Sequence, residues 1–180
     1  EDAAIFSESL VHLDKPFTFE ADIEGKLPEV SVRNLIAAYG KDTRLEITGL
    51  INNYNQFDQS NLQLDIKRLT VSQEDLQALI RIGSPDYVSV SQLKALGDLD
   101  LTIKAKGKLS RFDYEGVIRT QRGNVTLSGI GQMDKKFENL SFEGPVKTSN
   151  LQLAAILGEG VGVDNATLTT NVKFQMRANA

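Results

Sequence analysis

The sequence predicts a mainly β fold made of repeated antiparallel strands, with a few short helices. Three observations predict it: apolar and polar residues alternate strictly in several segments, one block of the chain is duplicated, and helical spacing is confined to short stretches. Helices this few and short do not cover both faces of an α/β sheet, so that class is excluded.

The strands are marked by a period of two. In residues 17–24, 62–67 and 99–106 every second side chain is apolar, and the side chains between them are polar or charged. Such alternation indicates antiparallel strands with one dry face and one wet face. The same reasoning places further strands at 44–53, 113–120, 124–132, 140–146 and 166–176, with a tight hairpin at Arg122-Gly123-Asn124.

Helical spacing predicts three short helices. The first covers 72–82, where Ser72 is suited to cap the first turn. The second covers 150–157 and ends before Gly158, and the third covers 89–96. These helices punctuate the strands and do not form a layer of their own.

A duplication organises the chain. Residues 17–25 match 99–107 in pattern, and the dipeptide Lys-Leu follows both segments. The other matching pairs are 44–50 with 124–130, 61–64 with 139–142, and 70–80 with 147–157. We therefore predict a first β repeat unit with short helices at 1–97, a second β repeat unit at 98–165, and the truncated start of a further unit at 166–180.

Composition excludes several functions. The formal net charge is −4 and the charges are dispersed, so the chain has no basic surface for nucleic acid. It has no cysteine and a single histidine, His12, which excludes thiolate sites, histidine metal clusters and a conventional catalytic triad. We predict no cofactor and no enzymatic activity.

No apolar run approaches ~20 residues and the first residue is Glu1, so we expect a soluble piece of a longer protein.

Two local motifs have ordinary structural explanations. The glycine-rich stretch 158–162 follows a predicted helix and precedes a predicted strand, which reverses the strand–loop–helix order of a phosphate-binding loop. Lys104, Lys106 and Lys108 form a basic row, but Asp98 and Asp100 lie beside it, as on a solvated strand face.

The apolar face is then the remaining functional candidate. Periodicity alone fits either the closed core of a sandwich or barrel, or an open groove.

The run Val30-Ser31-Val32-Arg33-Asn34-Leu35, followed by residues 39–45 and by Gly49-Leu50, resembles the C-terminal repeat region of bacterial TamB-like translocation and assembly proteins, in the TamB/AsmA-like superfamily. Residues 142–153 resemble it as well. The resemblance spans most of the chain and implies an elongated, curved, half-open groove of the β-taco type with an apolar interior. It also implies an inner-membrane anchor, a periplasmic location and an outer-membrane partner barrel of the Omp85 type (TamA/BamA-like).

The resemblance implies roles in phospholipid transport between the inner and outer membranes and in outer-membrane protein assembly. Exposing an acyl chain to water costs about 0.8 kcal/mol per methylene, which a continuous apolar lining would avoid. The lining residues predicted by face are Phe17, Phe19, Ile23, Leu45, Ile47, Leu62, Leu64, Ile66, Leu99, Leu101, Ile103, Val125, Leu127, Leu140, Phe142, Leu168, Val172 and Phe174. The alternative is a closed β structural or interaction module that binds client outer-membrane proteins by strand addition.

Overall fold

A computed structural model of the chain describes residues 15–26, 28–76, 95–136, 138–152 and 165–177. Within these ranges the chain is mainly β. Its strands are β1 (Phe17–Lys26), β2 (Glu29–Tyr39), β3 (Thr43–Asn52), β4 (Asn61–Val71), β5 (Leu99–Lys108), β6 (Arg111–Thr120), β7 (Gly123–Met133), β8 (Asn139–Ser149), β9 (Leu151–Gln152), β10 (Asn165–Ala166) and β11 (Thr169–Arg177).

Nine of these strands form one antiparallel sheet in the order β1-β2-β3-β4-β5-β6-β7-β8-β11, and β9 pairs with β10 separately. The sheet is not closed, because β1 and β11 lie at opposite edges. This confirms the mainly β class and the antiparallel strands. It also removes the closed barrel as a description of the described residues, since a barrel has no edge strands.

The alternation in the sequence does not predict β2, and a β-bulge explains why. The register of β2 with β3 shifts between Val32 and Leu35, where two residues of β2 lie opposite one residue of β3. Val32 and Leu35 consequently share a face although they are three positions apart. A second bulge between Ile66 and Leu69 has the same effect in β4.

The described parts of the predicted helices agree only in part with the structure. Residues 73–76 are helical, and the hydroxyl of Ser72 accepts a hydrogen bond from the backbone N–H of Asp75 at 3.2 Å, as expected of a cap. Residues 95–96 are helical as well, and the remainder of 72–82 and 89–96 lies outside the described residues. The helix predicted at 150–157 is wrong at its start. There Asn150 has a φ of 53° and the next two residues form β9, while 153–157 lie outside the described residues.

The strand predicted at 166–176 is divided in the structure. Ala166 belongs to β10, and β11 begins at Thr169. The backbone N–H of Thr148 donates to the carbonyl oxygen of Leu168 at 2.8 Å, which guides the chain from the small sheet to the edge of the large one.

The matched segments of the duplication occupy equivalent strands. Residues 17–25 and 99–107 fall in β1 and β5, and the other pairs of matched strand segments fall in β3 and β7, and in β4 and β8. Each predicted repeat therefore contributes four consecutive antiparallel strands. The sheet is continuous across the boundary between residues 97 and 98, because β4 pairs with β5. The division into three units stays a prediction.

Candidate functional site

The register of the sheet sorts its side chains onto two faces, because directly paired residues of antiparallel strands point to the same side. Leu101, for example, pairs with Leu69 of β4 and with Ile118 of β6. Followed across all nine strands, such pairs define one side, which we call the apolar face; the opposite side is the polar face. None of the paired residues on the apolar face is charged.

The predicted lining residues fall on this single face. Every one of them except Leu168 belongs to a pair on the apolar face, and Leu168 lies just before β11. The two repeats therefore present their alternating apolar side chains to the same side. Whether this face binds lipid stays a prediction.

The sequence prediction named no lining position on β2 or β6, and it also omitted Leu69 of β4 and Val146 of β8. β2 adds Val30, Val32 and Leu35 to the apolar face, and β6 adds Tyr114 and Ile118. In β2 the bulge hides the alternation. β6 also alternates from Phe112 onward, but two residues weaken the pattern. A glycine takes one position of the apolar face, and Val117 is an apolar residue on the polar face.

One end of the apolar face is filled by a compact side-chain core, which we call the aromatic end. Its buried members are Leu62, Ala105, Leu109 and Phe112. Partly buried side chains pack against them, namely Ile51, Phe57, Leu64, Tyr114, Leu140 and Phe142. Burial raises the pKa of the Tyr114 hydroxyl, and the Tyr114 ring meets Phe142 edge to face at a centroid distance of 5.3 Å. Several predicted lining residues thus contact one another at this end.

A polar cluster, which we call the Asp75 cluster, lies at the opposite end of β3 and β4. The Asp75 carboxylate is almost fully buried and accepts hydrogen bonds from Lys15 Nζ and Thr43 Oγ1, each at 2.6 Å. Burial raises the pKa of Asp75, but the hydrogen bonds from Lys15, Thr43 and Ser72 outweigh burial and leave the pKa below its ordinary value. The hydrogen bond to Asp75 in turn raises the pKa of Lys15. The cluster fixes the helical turn at 73–76, from which Leu76 is buried.

Between these two ends lies a band of half-buried aliphatic side chains, which we call the central strip. It crosses β3 to β8 and consists of Leu45, Ile47, Ile66, Leu69, Leu101, Ile103, Ile118, Val125, Leu127 and Val146. Six neighbouring strands spaced at about 4.8 Å make this strip about 24 Å long in the direction across the strands. It is the part of the apolar face that is neither packed into the aromatic end nor capped by the Asp75 cluster.

The two edge strands carry most of the exposed large apolar side chains among the described residues. On β1, Phe17, Phe19 and Ile23 are 45%, 59% and 57% exposed, and on β11, Val172 and Phe174 are 43% and 54% exposed. The apolar face therefore continues to both edges of the sheet without a polar border.

The polar face carries charges of both signs on neighbouring strands. Asp100 lies 3.2 Å from Arg119 and 3.7 Å from Arg68, which belong to the strands on either side of it. Lys104 is paired in register with Asp65 on one side and Glu115 on the other. Lys106 is paired with Asp113, so acids lie beside two of the three lysines of β5, whereas Lys108 is paired with Arg111.

Within the described ranges, no group of three or more acidic, histidine or cysteine side chains is placed to hold a metal ion. No helix among those residues is both long enough and apolar enough to cross a membrane. His12 and the glycine-rich stretch 158–162 lie outside the described residues. Comparison of the chain with known protein families, curated proteins and solved structures finds no match.

Proposed function

We propose that this chain is a periplasmic segment of a TamB-like envelope protein, and that its apolar face takes up phospholipid acyl chains during their transport between the inner and outer membranes. One observation carries the proposal: eight strands from the two predicted repeats, together with β11, make a single face without a charge. A chain that needed only a stable sheet would have no reason to keep this face apolar out to both exposed edges.

The size of the central strip supports an acyl ligand. The hydrocarbon core of a bilayer is about 30 Å thick and holds two acyl chains end to end, so one chain spans about 15 Å. The strip of about 24 Å is long enough for such a chain laid across the strands. The aromatic end occupies one end of the strip, and the Asp75 cluster lies at the other end of β3 and β4, so an acyl chain laid from one strand to the next would avoid both.

The energetics favour the same ligand. A sixteen-carbon tail in open water costs on the order of 12 kcal/mol, at about 0.8 kcal/mol per methylene. Half-buried side chains such as Ile103 and Leu127 give methylene groups a dry surface, while the strand ladders satisfy the backbone polar groups. In the full protein, we propose an inner-membrane anchor and an Omp85-type (TamA/BamA-like) barrel as the partners that the resemblance implies, with outer-membrane protein assembly as a further role.

A second candidate is the binding of client outer-membrane proteins by strand addition. It is supported by the edge strands that the sheet has among the described residues, because an edge strand offers backbone groups to an extended segment of another chain. The two candidates use different surfaces of the same sheet: lipid would contact the central strip, whereas an added strand would pair with β1 or β11.

Charge placed on the central strip tests the lipid proposal. Leu101→Glu and Leu127→Glu are expected to abolish co-purification of phospholipid, measured by mass spectrometry of extracts from the purified protein. The matched controls Thr102→Glu and Thr126→Glu put the same charge on the polar face of the same strands. Circular dichroism checks that β content is kept. Unchanged lipid content in folded Leu101→Glu and Leu127→Glu proteins would refute the proposal.

A further inference from the structure

The loop that joins β3 to β4 is rich in side-chain amides. Six of the ten residues from Asn52 to Asn61 are asparagine or glutamine. We call residues 53–60 the amide loop. Neither the alternation of the strands nor the apolar face explains this composition, so the loop calls for an explanation of its own.

The backbone of the amide loop is held by groups other than its amides. Phe57 packs against the aromatic end from a short 3-10 turn at Phe57–Gln59. The hydroxyl of the fully buried Ser60 donates to the carbonyl oxygen of Phe57 at 2.7 Å and accepts from the backbone N–H of Leu109 at 2.8 Å. Asn53 turns the chain with a φ of 53°, a conformation that asparagine tolerates better than most residues. The loop is therefore fixed without help from its other amide side chains.

Those amide side chains are left available. Asn55, Gln56 and Gln59 are exposed, and none of the three side chains forms a hydrogen bond with another described residue. Where the loop begins, the side-chain carbonyl oxygen of Asn52 is buried and accepts no hydrogen bond from the described residues. Each amide group carries two donors and one acceptor oxygen. The loop thus presents a dense set of neutral donors and acceptors that the fold itself does not use.

The available amides border a surface cavity of about 520 Å³, lined by residues 54–59 and by Lys135 from the turn between β7 and β8. Small-molecule sites in proteins measure roughly 300–1,000 Å³. The Tyr54 ring is 40% exposed. The charged groups in the lining are Lys135 and Asp58, and they neutralise each other because Lys135 Nζ lies 2.8 Å from Asp58 Oδ2. The cavity therefore combines neutral hydrogen-bonding groups with one exposed aromatic ring.

We propose that the amide loop binds a neutral saccharide. Sugar hydroxyl groups both donate and accept hydrogen bonds, as side-chain amides do. The C–H groups of a sugar ring carry a partial positive charge, which suits the electron-rich face of the Tyr54 ring. An anion is disfavoured because Lys135 is already paired with Asp58, and an apolar ligand would leave the amides without partners. The proposal rests on the amide loop and not on lipid binding.

Titration of the isotope-labelled chain with maltotriose, cellotriose and chitotriose tests the proposal by nuclear magnetic resonance. The side-chain amide signals of Asn55, Gln56 and Gln59 are expected to shift saturably with at least one of these sugars. Glycerol and triglycine are the comparison ligands. Equal shifts with glycerol would overturn the proposal in favour of a general polyol effect, and equal shifts with triglycine in favour of a peptide site. The absence of a saturable shift with all three sugars would overturn it outright.

Dodecyl maltoside, kept below the concentration at which it forms micelles, distinguishes two sources of the sugar. Binding at the same amide signals that is tighter than that of maltotriose would identify the headgroup of a glycolipid as the ligand. Equal binding of the two compounds would identify a free glycan. Either result requires that the sugar itself contacts the amide loop.

Variants assign the binding to the amide loop. Tyr54→Ala, and Gln56→Ala combined with Gln59→Ala, are each expected to weaken sugar binding about fivefold or more, whereas Tyr54→Phe keeps the ring and should bind within about twofold. The control Gln63→Ala combined with Gln132→Ala removes two exposed amides of the polar face and should change nothing. Equal loss in both double variants, or undiminished binding in Tyr54→Ala, would overturn the proposal. Phospholipid content, measured on the same samples, reports separately on the lipid proposal.

Discussion

Phe112 of β6 and Phe142 of β8 meet edge to face, with ring centroids 6.2 Å apart, although β7 lies between their strands. The contact is possible because the residue of β7 paired with both of them is Gly131. A side chain there would collide with the Phe112 ring. The glycine therefore makes room for two aromatic rings to close the aromatic end.

We expect Gly131→Ala to destabilise the fold by about 1–3 kcal/mol, because its methyl group would have to displace the buried Phe112 ring. Urea unfolding measures the change. In a double-mutant cycle, Phe112→Ala should cost less in the Gly131→Ala background than alone, since the ring is already displaced. Strict additivity would show that the ring and the glycine are independent.

Gly144 and Gly129 mark a close approach of two backbones. A Cβ built on Gly144 would lie 2.6 Å from the Cα of Gly129 and would overlap the carbonyl oxygen of Ser128. Gly129 itself has a φ of 152°, where side chains are strained. We expect Gly144→Ala to lower the free energy of unfolding by at least about 2 kcal/mol, because only a backbone shift relieves the overlap.

The control for this variant is Gly49→Ala, also on the apolar face, where the added Cβ would lie 3.2 Å from the carbonyl oxygen of Gln63 and φ is ordinary. A smaller loss of stability is expected there. If the two alanine variants unfold at the same urea concentration, the backbone approach at Gly144 is not a constraint.

The Asp75 cluster predicts an acid sensitivity. Because the folded pKa of Asp75 lies below its ordinary value, the unfolded chain binds this proton more readily. The stabilisation is complete above the ordinary pKa of an aspartate and is lost as the pH falls from there through the lower, folded pKa. We expect Asp75→Asn to cost roughly 2 kcal/mol at neutral pH, from lost charge-assisted hydrogen bonds to Lys15 and Thr43.

Thermal unfolding followed across that pH range measures the effect. The Asp75→Asn protein should lose less stability on acidification than the unmodified chain. The pKa of Asp134 is also lowered, by hydrogen bonds from the Asn139 side chain and from backbone N–H groups. Asp134 should therefore contribute to the pH dependence of stability in both proteins. Parallel pH profiles would show that Asp75 does not couple stability to pH.

Acyl contact can be located residue by residue, because the chain contains no cysteine and single cysteines give clean labels. A bimane label at Ile103→Cys, on the central strip, should be quenched by phospholipid with brominated acyl chains. The same label at Thr102→Cys points to the polar face and should be quenched far less. Equal quenching at both positions would contradict the prediction that lipid contacts the apolar face in preference to the polar face.

Strict alternation let the sequence predict most of the apolar face. From Leu99 to Ala105 each apolar residue indeed shares a side. The bulge in β2 defeated the same reasoning, because one extra residue between Val32 and Leu35 changes the spacing without changing the face. The sequence could not predict the Asp75 cluster, because Lys15 and Asp75 are sixty positions apart in the chain and meet only in the folded protein. Charge pairs at such separation leave no local pattern.

The four-strand composition of each predicted repeat fixes how a longer chain would grow. Because four is even, β1, β5 and β11 all run in the same direction, and each begins a new set of strands. Every added set would lengthen the sheet by about 19 Å while keeping the same side dry. The length of the apolar face would then depend on the number of copies of the repeat, and no single copy would need to change to make the face longer.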